Sequence, residues 1–234
     1  MSTPISGGIS GGAHARHRLL PCAIALALVV TLVWGDAARP AAVLGERGPA
    51  SVVDHDGDGV CDGEDILAAA RAYVATNPRY EGAYVQGGRP RDGSGVCTDL
   101  VDQALLGAGY DLRALIDADA REHPEAYPAI EVCDPDIDFR RVANQAAWLS
   151  RHACPCTLDP YDVGGWQAGD VVCWEDHIGI VSDRRDPHGV ALVLHHASPW
   201  QASFEEDALL QVAFGRICGH WRMGVGDVLA GSGA

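Results

Sequence analysis

Cys97 is preceded by Gly95 and followed by Thr98 and Asp99. Thr and Asp suit the first turn of a helix, and Gly permits a tight entry. A helix opening at Cys97 holds the thiol against the positive end of the helix dipole and against unpaired backbone N–H groups. Both favour the thiolate, and the same N–H groups can stabilise an oxyanion in acyl transfer. A thiol nucleophile also needs a base, normally His. His177 opens the run His177-Ile-Gly-Ile-Val-Ser-Asp183, and His195 and His196 close the run Ala191-Leu-Val-Leu194. With Cys97 as nucleophile, His177 as base and a third polar residue orienting His177, the set can hydrolyse an amide or an ester. Only one of His195 and His196 can reach the site, because neighbouring strand residues face opposite ways. The competing reading is structural, since Cys often packs as a small buried hydrophobe.

A second constellation is acidic. Asp54, Asp56, Asp58, Gly59, Asp62 and Asp65 occupy positions 1, 3, 5, 6, 9 and 12 of an EF-hand-like loop. Calcium takes six to eight oxygens, which alternating carboxylates and the carbonyl of Val60 would supply. Position 12 is Asp65 in place of the usual Glu, and no entering helix precedes Asp54. The loop is therefore similar to those of dockerin or thrombospondin type-3 repeats. Calcium there would be structural, tying the first helix to the domain. The alternative is a solvated acidic turn. No organic cofactor is implied.

The elements that must position these residues follow from composition and punctuation. Helices are expected over 66–75, 98–106, 112–122 and 139–151, the second stopped by Gly107 and Gly109. Short apolar runs over 171–174, 178–182, 191–195 and 217–223 read as strands separated by turn signals. Helices first and an antiparallel sheet second define an α+β domain.

The whole chain sets the setting. Its 234 residues carry a net charge of −15, which argues against nucleic acid and against docking on anionic lipid through a basic patch. Arg16 and Arg18 precede an apolar run over 19–34, the pattern of an export segment. Residues 1–34 therefore read as a cleaved signal peptide or as a retained membrane anchor, residues 35–51 as a linker and 224–234 as a loose tail. The location expected is periplasmic, secreted or on the outer face of the membrane. Cys22 lies inside the apolar run, so it is not a lipoprotein cysteine. Without it seven cysteines remain, an odd number that leaves one free thiol beside as many as three disulfides. No Cys-x-x-Cys pair supports thiol redox chemistry, and Cys154-Pro-Cys156 is too tightly spaced for a zinc knuckle.

Gly95-Val-Cys-Thr-Asp99, Asp136-Ile-Asp-Phe-Arg-Arg-Val142, Trp166-Gln-Ala-Gly-Asp170, His177 to Asp183, His195-His196 and Gly219-His220-Trp-Arg222 occur in that order. Together they resemble the bacterial domain-of-unknown-function family 1287, over about residues 52–223. That family is in turn distantly similar to NlpC-type peptidases, which cleave cell-wall peptides. The resemblance implies a papain-like domain over 67–223, behind the calcium loop of 52–66. It implies a Cys97, His177 and His195 centre, with His196 competing for the third place. It also implies an exported amidase or peptidase acting on the cell envelope. Arg140 and Arg141 would clamp a substrate carboxylate, with Asp99 beside them. Each has a structural alternative, an ion pair with Asp136 or Asp138 for the arginines and a first-turn helix charge for Asp99. His220 reads as structural. The runner-up function is a non-catalytic, calcium-stabilised surface-binding module on the same fold.

Overall fold

The computed structural model describes residues 52–224. The export segment, the linker, Cys22 and all of the tail but Gly224 lie outside the described residues.

Four helices come first. The helix α1 (Asp62–Ala75) buries Ile66, Leu67 and Ala70, a spacing that lays one face on the core. A short parallel pair, β1 (Arg79–Tyr80) and β2 (Ser94–Gly95), brings the chain to α2 (Cys97–Gly107). The α2 helix ends where the Tyr110 N–H bonds the Leu105 carbonyl. Gly109 at φ +84° makes that close, a left-handed position a side chain resists. The helices α3 (Leu112–Glu122) and α4 (Val142–His152) follow. The single helix expected over 139–151 is broken into a 3-10 turn, Asp138–Arg140, and then α4. The break is held from inside, where the Asn144 amide donates to the Asp138 carbonyl and the Gln145 amide to those of Phe139 and Thr98.

The sheet comes second. Its strands are β3 (Cys154–Pro155), β4 (Val171–Cys173), β5 (Ile178–Arg185), β6 (Ala191–Leu194), β7 (Glu205–Glu206) and β8 (Gly219–Arg222). They pair antiparallel in the order β3-β8-β4-β5-β6-β7. Alternation divides their side chains between two cores. Val171, Cys173, Ile178, Ile180 and Leu194 join the helices. Val172, Val181, Val193 and Trp174 pack on the other face with Trp166, Leu209 and Ile217. Both faces are covered, so the strands read as short unbroken apolar runs. The domain is thus α+β, four helices and an antiparallel sheet, as the sequence implies. The helix α2 packs on α1 and on β5, which sets the helix carrying Cys97 against the strand that follows His177.

No disulfide is present among the described residues. Cys61, Cys97, Cys133, Cys154, Cys156, Cys173 and Cys218 are all free thiols. The sulfurs of Cys173 and Cys218 are 3.8 Å apart, in contact but not bonded.

Candidate functional site

Cys97 is the first residue of α2, with Val96 as the extended residue before it. The turn is braced from three sides. Asp99 accepts a hydrogen bond from the Val96 N–H at 2.9 Å and is gripped by Arg140 at 2.7 and 3.0 Å. The Thr98 hydroxyl donates to the Arg140 carbonyl. Gly95 touches the Tyr73 hydroxyl so closely that a Cβ there would stand 2.2 Å from it. Only glycine lets α1 and the strand before Cys97 meet this way.

His177 closes the tight β4–β5 connection, where the Trp174 N–H bonds the His177 carbonyl and Cys173 pairs with Ile178. His195 follows the last residue of β6. The two rings meet at His177 Nε2 and His195 Nδ1, 2.9 Å apart. Beyond them, His195 Nε2 lies 3.0 Å from a Glu206 carboxylate oxygen. Phe214 stacks on His177 with ring centres 4.7 Å apart and meets His195 edge-on. His196 turns elsewhere, and its Nδ1 lies 3.1 Å from the Tyr73 hydroxyl while its ring meets Tyr80 edge-on. Of the two candidates for the third place, His195 is the one in contact with His177.

Electrostatics reverse one expectation. The helix tip was expected to lower the Cys97 pKa, but burial pushes it up to about 11. Backbone hydrogen bonding from the Ile178 and Thr98 N–H groups pulls the other way without prevailing. The thiol is 8% exposed, and desolvation of a thiolate outweighs the dipole there. Burial likewise holds His177 down to about 4 and His195 to about 3. Burial therefore favours the neutral forms of the thiol and of both imidazoles. The Ile178 N–H belongs to the residue directly after His177, so the sulfur sits at the start of β5.

Asp99 and Arg140 were expected at a substrate carboxylate. Both are buried and bonded to one another, and Arg140 also donates to the Ala83 carbonyl at 2.7 Å. Arg140 thus pairs with Asp99 and not with Asp136 or Asp138. Arg141 is half exposed, 3.9 Å from Asp138. His220 is structural, stacked on Trp166 and bonded to Asp170 and the Thr157 carbonyl. Cys156 comes close to Asp170 and His220, but Asp170 is already bridged twice by Arg222 at 2.7 Å. Asp170 is thus already paired with a cationic side chain.

The acidic loop splits its candidates. The carboxylates of Asp54, Asp56 and Asp58 converge at the surface. Asp54 accepts from the N–H groups of Gly57, Asp58 and Gly59, which curls the loop around it. The Val60 N–H donates to Asp58. Burial first, and then the charges of Asp58, Asp56, Asp54 and Asp62, raise the pKa of Asp65. Asp62 does not join them. It is buried and bonded to the His55 N–H and, at 2.6 Å, to the Tyr110 hydroxyl.

Glu206, Phe214, Tyr73 and Tyr80 surround the site without having been singled out in the sequence. Glu206 sits in the run Glu205-Glu206-Asp207, which reads as solvated charge. The usable signal is strand alternation, since Glu205 turns to Arg71 and Arg184 while Glu206 turns to His195.

The family described as "Domain of unknown function (DUF1287)" matches residues 67–223. The "Uncharacterized protein YijF" of Escherichia coli (strain K12) is 36% identical over 171 residues, covering 67% of this chain and 80% of the relative. No solved structure gives a significant match. The matched segment holds Cys97, His177 and His195 and every element from α2 to β8, and the chain belongs to the DUF1287 family.

Proposed function

We propose that this protein is an exported cysteine-dependent hydrolase of the NlpC-type, papain-like kind, acting on peptide or amide bonds of the cell envelope. The observation that carries this reading is the His177–His195 contact, set at the start of the strand against which the Cys97 helix packs. His177 uses Nε2 toward His195, so the reaction requires its Nδ1 to reach the Cys97 sulfur. Cys97 attacks the substrate carbonyl as His177 takes its proton, forming the carbon–sulfur bond and a tetrahedral oxyanion. Collapse expels the amine, which leaves with that proton. Water then attacks the thioester as His177 takes its proton, the carbon–sulfur bond breaks, the Cys97 sulfur takes that proton back, and the acid is released. Because burial favours the neutral pair, proton transfer accompanies attack and does not precede it. Arg141 remains available at the surface for a substrate carboxylate.

One observation favours a second reading. Cys97 is buried, which suits a non-catalytic binding module that keeps the fold and not the reaction. Fragments of purified peptidoglycan separate the two. The hydrolase reading expects cleavage by the native chain, none by Cys97→Ala, and a thioester on Cys97 detectable by mass spectrometry after acid quench. Equal cleavage by Cys97→Ala, or none by either protein, would sink it.

Calcium in the acidic loop is the second part of the reading. Asp54, Asp56 and Asp58, whose carboxylates converge, would supply its first three ligand positions, the Val60 carbonyl the next and Asp65 the last. Asp62 is left out, and a water held over it would stand in its place, as occurs at this position in such loops.

A further inference from the structure

We infer that Glu206 is a positioning residue whose carboxylate fixes which nitrogen of each active-site imidazole carries the proton, and so makes His177 Nδ1 the base. The inference rests on the hydrolase reading only for the word base; the proton arrangement rests on the line of contacts and on the burial of the rings.

The argument is a proton count along one line of contacts. Burial and then the Asp207 charge raise the Glu206 pKa; in its ionised form the carboxylate has no hydrogen to give, so the 3.0 Å contact between Glu206 Oε1 and His195 Nε2 then requires the hydrogen to be on Nε2. His195 is fully buried, and that burial keeps the ring neutral with a single N–H. Its Nδ1 is therefore bare. The 2.9 Å contact from Nδ1 to His177 Nε2 then requires His177 to donate. A neutral His177 that carries its hydrogen on Nε2 has its lone pair on Nδ1. Each step forces the next.

The neighbours leave this order intact. The Gln201 amide nitrogen lies 3.3 Å from His195 Nε2, but its two hydrogens go to the carbonyls of His195 and Ser203 at 3.0 and 2.8 Å. Phe214 covers both rings and has no hydrogen bond to offer. Glu205, the adjacent carboxylate, is turned away to Arg71 and Arg184. Backbone pairing fixes Glu206 in place, since it stands opposite Val193 in the β6–β7 register. Without the carboxylate, His195 can take its hydrogen on Nδ1. It would then donate to His177 Nε2 and leave His177 Nδ1 protonated and useless as a base.

Nitrogen-15 NMR of the labelled chain at neutral pH reads the tautomers directly. The native protein should show hydrogen on Nε2 of both His177 and His195. Glu206→Ala, with Glu206→Leu as the space-filling alternative if the first does not fold, should lose the Nε2–H form of His177. Kinetically, the turnover of peptidoglycan fragments should drop on the order of 10³-fold with KM unchanged, the signature of a wrong tautomer. An Nδ1–H form of either ring in the native chain, or unchanged tautomers in a folded Glu206 variant, would overturn the inference. Failure of the hydrolase reading shows separately, as absent cleavage or cleavage that survives Cys97→Ala, and leaves the NMR result standing.

Discussion

Arg140 and Asp99 face one another across two hydrogen bonds of 2.7 and 3.0 Å, both side chains almost wholly out of water, directly beneath the turn that carries Cys97. The pair joins the 3-10 turn before α4 to the first turn of α2. Removing one partner leaves the other charge buried without compensation, which costs about 3–5 kcal/mol. Arg140→Ala should therefore be strongly destabilised in urea titrations, while Arg141→Ala changes stability by less than about 1 kcal/mol. If Arg140→Ala unfolds at the native midpoint, the ion pair is not what holds the Cys97 turn.

Gly95 and Tyr73 give a paired test. A methyl group at 95 would lie 2.2 Å from the Tyr73 hydroxyl, so Gly95→Ala must displace α1 or the turn before Cys97. Its cost is expected to be about 1–3 kcal/mol, the usual penalty for overpacking. Tyr73→Phe removes the offending oxygen, together with its contact to His196. The double variant Gly95→Ala/Tyr73→Phe should recover part of the loss. Strict additivity of the two single changes in a denaturation cycle would refute the contact as the cause.

The buried imidazoles make stability depend on pH with a definite sign. An unfolded His takes up a proton below its ordinary 6.5, whereas folded His177 resists until about 4. The stabilisation is complete above pH 6.5 and is lost as the pH falls toward 4. For His177 the gap is worth roughly 3 kcal/mol. His195 extends the window to about pH 3. His177→Phe, a ring of similar size beside Phe214, should show a shallower loss of stability between these limits than the native chain. Equal slopes would mean that His177 is not buried neutral.

The raised Cys97 thiol gives a second pH signature. With a pKa near 11, its alkylation by iodoacetamide should be slow at neutral pH and rise about tenfold per pH unit toward that value. A rate already at its plateau at pH 7 would instead indicate a resting thiolate–imidazolium pair.

Calcium should raise the melting temperature of the native chain, and EDTA should lower it. Asp58→Ala should abolish the difference at millimolar calcium, while Tyr110→Phe, which removes the hydroxyl bonded to Asp62, should retain it and lose about 1–3 kcal/mol of stability through the weakened pairing of that carboxylate. No calcium-dependent shift in the native protein, with no heat of binding by calorimetry, would remove the loop from consideration as a site.

Much of this was written in local sequence. Gly95-Val-Cys-Thr-Asp99 sets a helix to open at Cys97, and the structure opens α2 there. The run after His177 and the run before His195 become β5 and β6, because unbroken apolar segments bounded by turn residues have few other ways to bury themselves. Tertiary structure decided the rest. Burial, a property of the packed whole, overrode the helix tip and raised the Cys97 pKa. Register placed His195 rather than His196 against His177, and Glu206 behind it, since a strand's facing depends on its partner and not on its own sequence. Asp62 matched the spacing of a calcium ligand but turned inward, because Tyr110, distant in sequence, offers it a buried hydroxyl. Local sequence specifies the elements and their candidate groups; which groups meet, and in what protonation state, depends on long-range packing and the water it excludes.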